Sequence, residues 1–237
     1  MSLKQSTIGD IVSDNYHAAG VFREYGIDFC CGGGKLLSDV CEKKGLPIDE
    51  IADKLKSAPW GNRSSGDNYN DWSPDFLVDY IVNTHHTFVR QKTDEVANYA
   101  AKVAKVHGER HPENVEIFRK FVSLSNELMQ HLNDEESRVF PLIKSVYEKR
   151  QNGVAPSESE VTELKGELRQ MEKEHEVAGE LMAEIRELSN EFNPPQDACT
   201  TYRILYQNLA GFEEDLHKHV HLENNILFKK MERLVAA

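Results

Sequence analysis

The chain has 237 residues, with 28 Lys+Arg against 40 Asp+Glu, a formal charge of −12, ten histidines and four cysteines. That length suits one large domain or two unequal ones, and it buries a core without disulfide staples. The acidic balance excludes nucleic acid and anionic membrane as obvious partners, because both demand a basic footprint.

Membrane, secretory and zinc-finger signals are missing from the pattern. No stretch approaches the ~18 apolar residues of a membrane span. The N-terminal MSLKQSTIGDIVSDNY lacks the apolar region of a secretory signal. The expected location is the cytoplasm, with the cysteines reduced. No CxxC pair suggests a zinc finger.

In chain order, residues 1–57 carry three short helical patterns, Ile8–Tyr25, Leu36–Lys44 and Ile48–Ser57. Thr7 and Asp10 open the first as a capping-box-like start. The turn GIDFCCGGGK separates the first pattern from the second. Residues 58–73, APWGNRSSGDNYNDWS, read as a linker of about 16 residues that reaches ~22 Å as a coil. Ser73-Pro74 then reads as an N-cap followed by Pro at the first helical position. Four long helices are predicted at 74–106, 112–150, 157–192 and 198–234, separated by VHGERHP, QNGVAPS and NPPQDACT. Pro141 is expected to disturb the second. Strand alternation is absent. Short breaks between long helices predict an all-α, up-down-up-down four-helix bundle over 74–237.

Each long helix shows an apolar seam at spacings of three and four. The fourth reads Tyr202, Leu205, Leu209, Phe212, Leu216, His219, Glu223, Ile226. His217 and His221 point away from that seam and are expected outside the interior. The third reads Leu164, Leu168, Met171, His175, Ala178, Met182, Ile185. The second reads Ile117, Phe121, Leu124, Leu128, His131, Glu135, Val139, Leu142, Val146. In the first, a seam through Val82, His86 and Val89 competes with one through Val78, Ile81, His85 and Phe88. The former is favoured and His85 stays an alternative.

Loop positions provide an independent check. In an up-down bundle, residues on consecutive helices share a level when the loop lies midway between them. The midpoints of His86–His131, His131–His175 and His175–His219 all fall in the predicted breaks, near Gly108, Gly153 and Asp197. One histidine per helix therefore lies in one layer. A single core histidine is ordinarily a satisfied polar residue. Four histidines and two glutamates in one buried layer are costly without a cation. Shared between two metals, the set gives each metal two imidazoles, with both glutamates bridging and water, oxo or hydroxo groups completing the coordination. Nitrogen and oxygen donors without thiolate suit iron or manganese. Glu127 and Glu174 flank His131 and His175 and would line an approach, though a solvated helix face is the simpler reading.

The layer is richer in histidine than the Glu-x-x-His sites of ferritin-like proteins and points to a hemerythrin-like di-iron centre. HLNDEESRVFP (131–141), EKEHEVAGELM (172–182) and HVHLENNILF (219–228) resemble the hemerythrin-like domain of the repair-of-iron-centres proteins, the ScdA/YtfE type. IGDIVSDNYHAAGVFREYGIDFCCGGGK resembles the small helical ScdA-type domain that precedes it in that family. The resemblance covers nearly the whole chain. It implies a cytoplasmic non-haem protein with two iron ions held by His86, His131, Glu135, His175, His219 and Glu223. It also implies repair of iron–sulfur clusters damaged by nitrosative or oxidative stress, by iron donation rather than by turnover as an enzyme. Oxygen-carrying hemerythrins use five histidines; the four here weaken a pure carrier reading.

Cys30 and Cys31 precede three glycines, which permit close approach of a partner or metal. A disulfide between neighbours is strained and readily reduced. These thiols are candidates for redox or iron transfer, against the simpler reading of a tight turn. Cys41 is a weaker candidate, and Cys199 is expected to be structural. The partners implied are damaged iron–sulfur proteins, with NO or O2 as small ligands; the linker's reach allows docking within one chain or across a homodimer. The competing functions are an O2/NO sensor and a di-iron NO or peroxide reductase.

Overall fold

The computed structural model describes residues 3–57 and 68–236, so residues 58–67 of the linker expected at 58–73 lie outside the described residues. The described residues are helical. They contain no strand, only an isolated antiparallel bridge between Thr7 and Leu36. No helix among them is long and apolar enough to cross a membrane.

The N-terminal helices are α1 (Ile8–Asp14), α2 (Ala18–Glu24), α3 (Leu37–Lys44) and α4 (Ile48–Ser57). Thr7 caps α1 by accepting from the Asp10 N–H. The single helix expected over 8–25 is instead two. The Asn15 side chain accepts from the His17 N–H at 3.1 Å, and Asn15 itself is extended. Such a local side-chain bond competes with helix continuation. At the end of α3, Gly45 adopts φ 64°. The Leu46 N–H then reaches the Cys41 carbonyl and the Gly45 N–H the Glu42 carbonyl, which is a Schellman stop.

The long helices follow: α5 (Pro74–Ile81), α6 (Thr87–His107), α7 (Glu113–Asp134), α8 (Phe140–Gln151), α9 (Glu158–Leu188), α10 (Thr200–His221) and α11 (Phe228–Ala236). Wide, π-helical turns occupy Val82–His86, Glu135–Val139 and Leu222–Leu227. The second of them sits just ahead of Pro141, whose ring is incompatible with regular α-helix. Ser157 and Glu160 form a full capping box at the start of α9. That helix ends short of the expected residue 192, because Asn190, Glu191 and Phe192 all take positive φ.

The chain divides into two compact units. One comprises Met1–Val78, Val146–Pro156 and His217–Ala237; the other comprises Asp79–Ser145 and Ser157–Leu216. In the second, middle unit, α7 packs on both α6 and α9. Lys120 pairs with Glu184, and Arg138 with Glu167 further along, so α7 and α9 are antiparallel. His85–Asp215 and Asn208–Glu95 contacts set α10 antiparallel to α6. The up-down-up-down bundle is thus realised. Its seams are buried: Val89, Val96 and Val103 from α6, Ile117, Phe121 and Leu124 from α7, Leu164, Met171 and Met182 from α9, and Leu205, Leu209 and Phe212 from α10.

One seam position differs. Ile143 is fully buried and Leu142 only partly so, because the wide turn over Glu135–Val139 inserts one residue and advances the stripe by one. Phe121, fully buried, meets Phe212 edge to face with ring centroids 5.2 Å apart. Phe121→Ala is expected to lower stability by about 3–5 kcal/mol through the cavity it leaves, measured by denaturant unfolding; a loss under about 1 kcal/mol would contradict this packing.

Candidate metal centre

The middle unit gathers four of the six expected ligands. Glu135 is fully buried on the wide turn that follows α7. Its Oε2 lies 3.3 Å from His86 Nε2 and 3.4 Å from His131 Nε2. His131 Nε2 in turn lies 3.0 Å from His175 Nε2 on α9. Ligand atoms of His131, Glu135 and His175 all fall within 4.8 Å of one another.

The other ring nitrogens determine what this arrangement can do. His86 Nδ1 meets Glu136 Oε1 at 2.7 Å, and Arg90 holds the same oxygen at 2.8 Å. His131 Nδ1 meets Glu174 Oε2 at 2.7 Å, and this contact holds the Glu174 carboxyl below its usual range. A carboxylate only accepts, so in a neutral ring the proton sits on Nδ1 and the lone pair on Nε2. Two imidazole lone pairs therefore face one buried carboxylate. With both rings neutral that juxtaposition is repulsive unless a cation lies among them, and the donor set fits a metal of the N/O-preferring class. Carboxylates on Nδ1 are the usual outer support of metal-bound histidine. Glu136 was not anticipated as such a support. Its cross-helix partner is invisible in the periodicity of one helix.

The wide turns account for how the candidate ligands are presented. Thr87 N–H bonds back to Val82, Phe140 to Glu135 and Phe228 to Glu223, each across five residues. Such turns recur at functional sites because they re-aim side chains. They also explain the two seams in the first helix. The extra residue lets His85 and His86 both be buried. His86 faces Glu135, whereas His85 bonds Asp215 through Nδ1 at 2.9 Å. A cavity of about 510 Å³ lies between α7 and α9 and is lined by His131, Glu174, His175, Glu127 and Val177 among others. Glu174 thus serves the histidine layer, while Glu127 lies exposed at the cavity wall.

The other unit holds the remaining pair, His219 and Glu223, both buried, with Nε2 and Oε1 2.9 Å apart. It also corrects an expectation. His221 is not at the surface but fully buried, because the N-terminal segment covers it. Its ring lies against Tyr16 and Phe29. Asn225 donates to the Cys30 carbonyl at 2.9 Å and contacts His221 Nδ1 at 3.3 Å. A Cβ on Gly9 or Gly33 would come within 2.3 Å of the Asn225 carboxamide oxygen, so both positions must be glycine for this seat to form. Asp28 accepts from the N–H groups of Cys30, Cys31 and Gly32. Cys30 is buried, and its thiol is pushed up by neighbouring Cys31, by burial and by Asp28. Cys41 is buried in α3, and Cys199 is exposed with its sulfur 3.2 Å from His107 Nε2.

Fold and site together define a helical protein with a buried histidine–carboxylate cation site. Residues 77–231 match the hemerythrin HHE cation-binding domain, and residues 4–59 match the ScdA_N domain, described as a domain of unknown function (DUF542). The iron–sulfur cluster repair protein ScdA of Staphylococcus haemolyticus is 30% identical over 232 residues, covering 97% of this chain and 99% of its own. The iron–sulfur cluster repair protein YtfE of Pectobacterium atrosepticum is 34% identical over 239 residues, covering 98% and 99%. The chain belongs to the ScdA/YtfE family, in which a ScdA_N domain precedes a hemerythrin HHE domain.

Burial lowers the His221 pKa from the ordinary 6.5 to about 4. The unfolded chain therefore binds this proton at a higher pH than the folded one. The His221 contribution to stability is full above about pH 6.5 and falls as pH drops toward 4, by on the order of 3 kcal/mol at most. Unfolding measured at pH 7 and pH 5 should show a smaller acid loss in His221→Gln than in the parent chain; equal losses would count against the assignment.

Proposed function

We propose that this protein repairs iron–sulfur clusters damaged by nitrosative or oxidative stress, by donating iron to them in the cytoplasm. We assign His86, His131, Glu135, His175, His219 and Glu223 as the ligands of two iron ions, with the glutamates shared between them. The observation that carries this reading is the Glu135 carboxylate facing two imidazole nitrogens whose protons are held elsewhere. The hemerythrin HHE match spans all six residues. The repair function is supported by the relatives' names and by their full-length similarity. The domain boundaries proposed are 1–57 for the ScdA-type domain, 58–73 for a linker and 74–237 for the bundle.

Bound iron supplies the exchangeable metal that a damaged cluster lacks. The protein's part is to hold and orient it. Glu136 and Glu174 fix the tautomers of His86 and His131, so that Nε2 stays a donor at the metal. The cavity along α7 and α9 brings solvent-borne species to His131 and His175. Cys30 and Cys31 are thiols for iron or redox transfer. A second reading, binding or reduction of NO or O2 at the same layer, is favoured only by that cavity.

Glu135→Ala and His175→Ala are expected to lower iron content by half or more while helicity is retained, whereas His17→Ala leaves it unchanged; unchanged iron in the first two would refute the ligand assignment. Iron-loaded protein mixed with a damaged cluster enzyme should restore activity beyond an equal amount of free ferrous iron. Recovery no better than free iron would overturn donation. Sustained NO or peroxide consumption with an electron donor would favour the second reading.

A further inference from the structure

The turn Asp28–Gly32 holds three donors that the histidine layer does not use. Cys30 Sγ lies 3.8 Å from Cys31 Sγ and 3.3 Å from Asp28 Oδ1. The three ligand atoms all fall within 4.8 Å of one another. A disulfide would need the sulfurs at ~2.0 Å, so the turn is not shaped around one. A tetrahedral ion with metal–sulfur bonds of ~2.3 Å has a sulfur–sulfur edge of ~3.8 Å, and with a carboxylate oxygen at ~2.0 Å a sulfur–oxygen edge of ~3.5 Å. The observed separations of 3.8 and 3.3 Å are close to these edges.

We propose that Asp28, Cys30 and Cys31 form a second cation site that takes one thiophilic divalent ion and leaves its fourth coordination position open. The backbone already holds the donors in place. Asp28 is fixed by three main-chain N–H groups at 2.7–3.0 Å. The Cys30 carbonyl is fixed by Asn225 at 2.9 Å. Cys30 is buried, Cys31 half-buried and Asp28 exposed, so the open position faces outward. Structural thiolate sites are closed by four protein ligands; three ligands and an open position suit exchange. Two thiol protons leave to buffer as one divalent ion enters. A thiolate of an acceptor protein then takes the open position and draws the ion away by ligand exchange, with no change of oxidation state. That the natural cargo is ferrous iron rests on the repair reading above; the existence of the site does not.

The test uses the full-length, iron-loaded protein under reducing, anaerobic conditions, titrated with Co2+ as a spectroscopic probe. The expected result is one Co2+ per chain, with sulfur-to-cobalt charge-transfer absorption and intense tetrahedral ligand-field bands, and bundle iron unchanged. Cys31→Ser should abolish the charge-transfer band or weaken Co2+ binding by more than about tenfold. Asp28→Asn, which keeps one oxygen acceptor for the Cys30 and Cys31 N–H groups but loses the bond from Gly32 N–H, should weaken binding by about tenfold while leaving helicity and bundle iron intact. The proposal is overturned if no thiolate band appears, if the band persists in the Cys30→Ser, Cys31→Ser double variant, or if Asp28→Asn binds Co2+ as tightly as the parent. If the Co2+ site is present but iron donation is the same with and without Cys31→Ser, the site stands and its role in delivery fails.

Discussion

The constraint on which the site depends is electrostatic. Glu135 has no exposed surface, and its carboxylate lies 3.3 and 3.4 Å from the Nε2 atoms of His86 and His131. Burying an ionised carboxylate costs several kcal/mol unless opposite charge compensates it. Protons on these histidines are drawn to their Nδ1 atoms by Glu136 and Glu174. With those rings neutral, compensation falls to a cation, and the arrangement sets nitrogen and oxygen donors within reach of one. The family match to a cation-binding domain agrees with that deduction.

The wide turns are the local device that makes this possible on otherwise regular helices. A strict α-helix carrying an apolar seam would present one residue per turn to the interior. Inserting one residue at Val82–His86 lets His85 and His86 both enter, with different partners. Along the wide turn Leu222–Leu227, Glu223, Asn224 and Asn225 are buried in succession, Asn225 beneath the N-terminal segment. Glu223 pairs with His219 while Asn225, two residues on, holds the Cys30 carbonyl. A short stretch of one helix thus carries both a proposed metal ligand and the seat of the thiol turn.

Much of this was legible in the sequence. Seams at spacings of three and four located the bundle core, and the loop midpoint between His131 and His175 sets those two at one level, where their Nε2 atoms lie 3.0 Å apart. The rest was hidden for identifiable reasons. A wide turn shifts periodicity by one residue, which is why Leu142 and Ile143 exchange places and why two seams compete around His85. Glu136 reads as a solvated neighbour of Glu135 because its partner, His86, comes from another helix. His221 lies off the bundle seam, yet is buried by Phe29, nearly two hundred residues away in sequence. Helical periodicity carries no trace of such contacts.

The central claim is that the buried layer holds two interacting iron ions. Iron quantitation with Mössbauer spectroscopy on the purified, iron-57-loaded chain tests it most directly. The account predicts two irons per chain and, in the oxidised protein, the quadrupole doublets of a coupled, diamagnetic pair with no magnetic splitting at low temperature and low field. One iron per chain with the magnetically split spectrum of isolated ferric iron would contradict it.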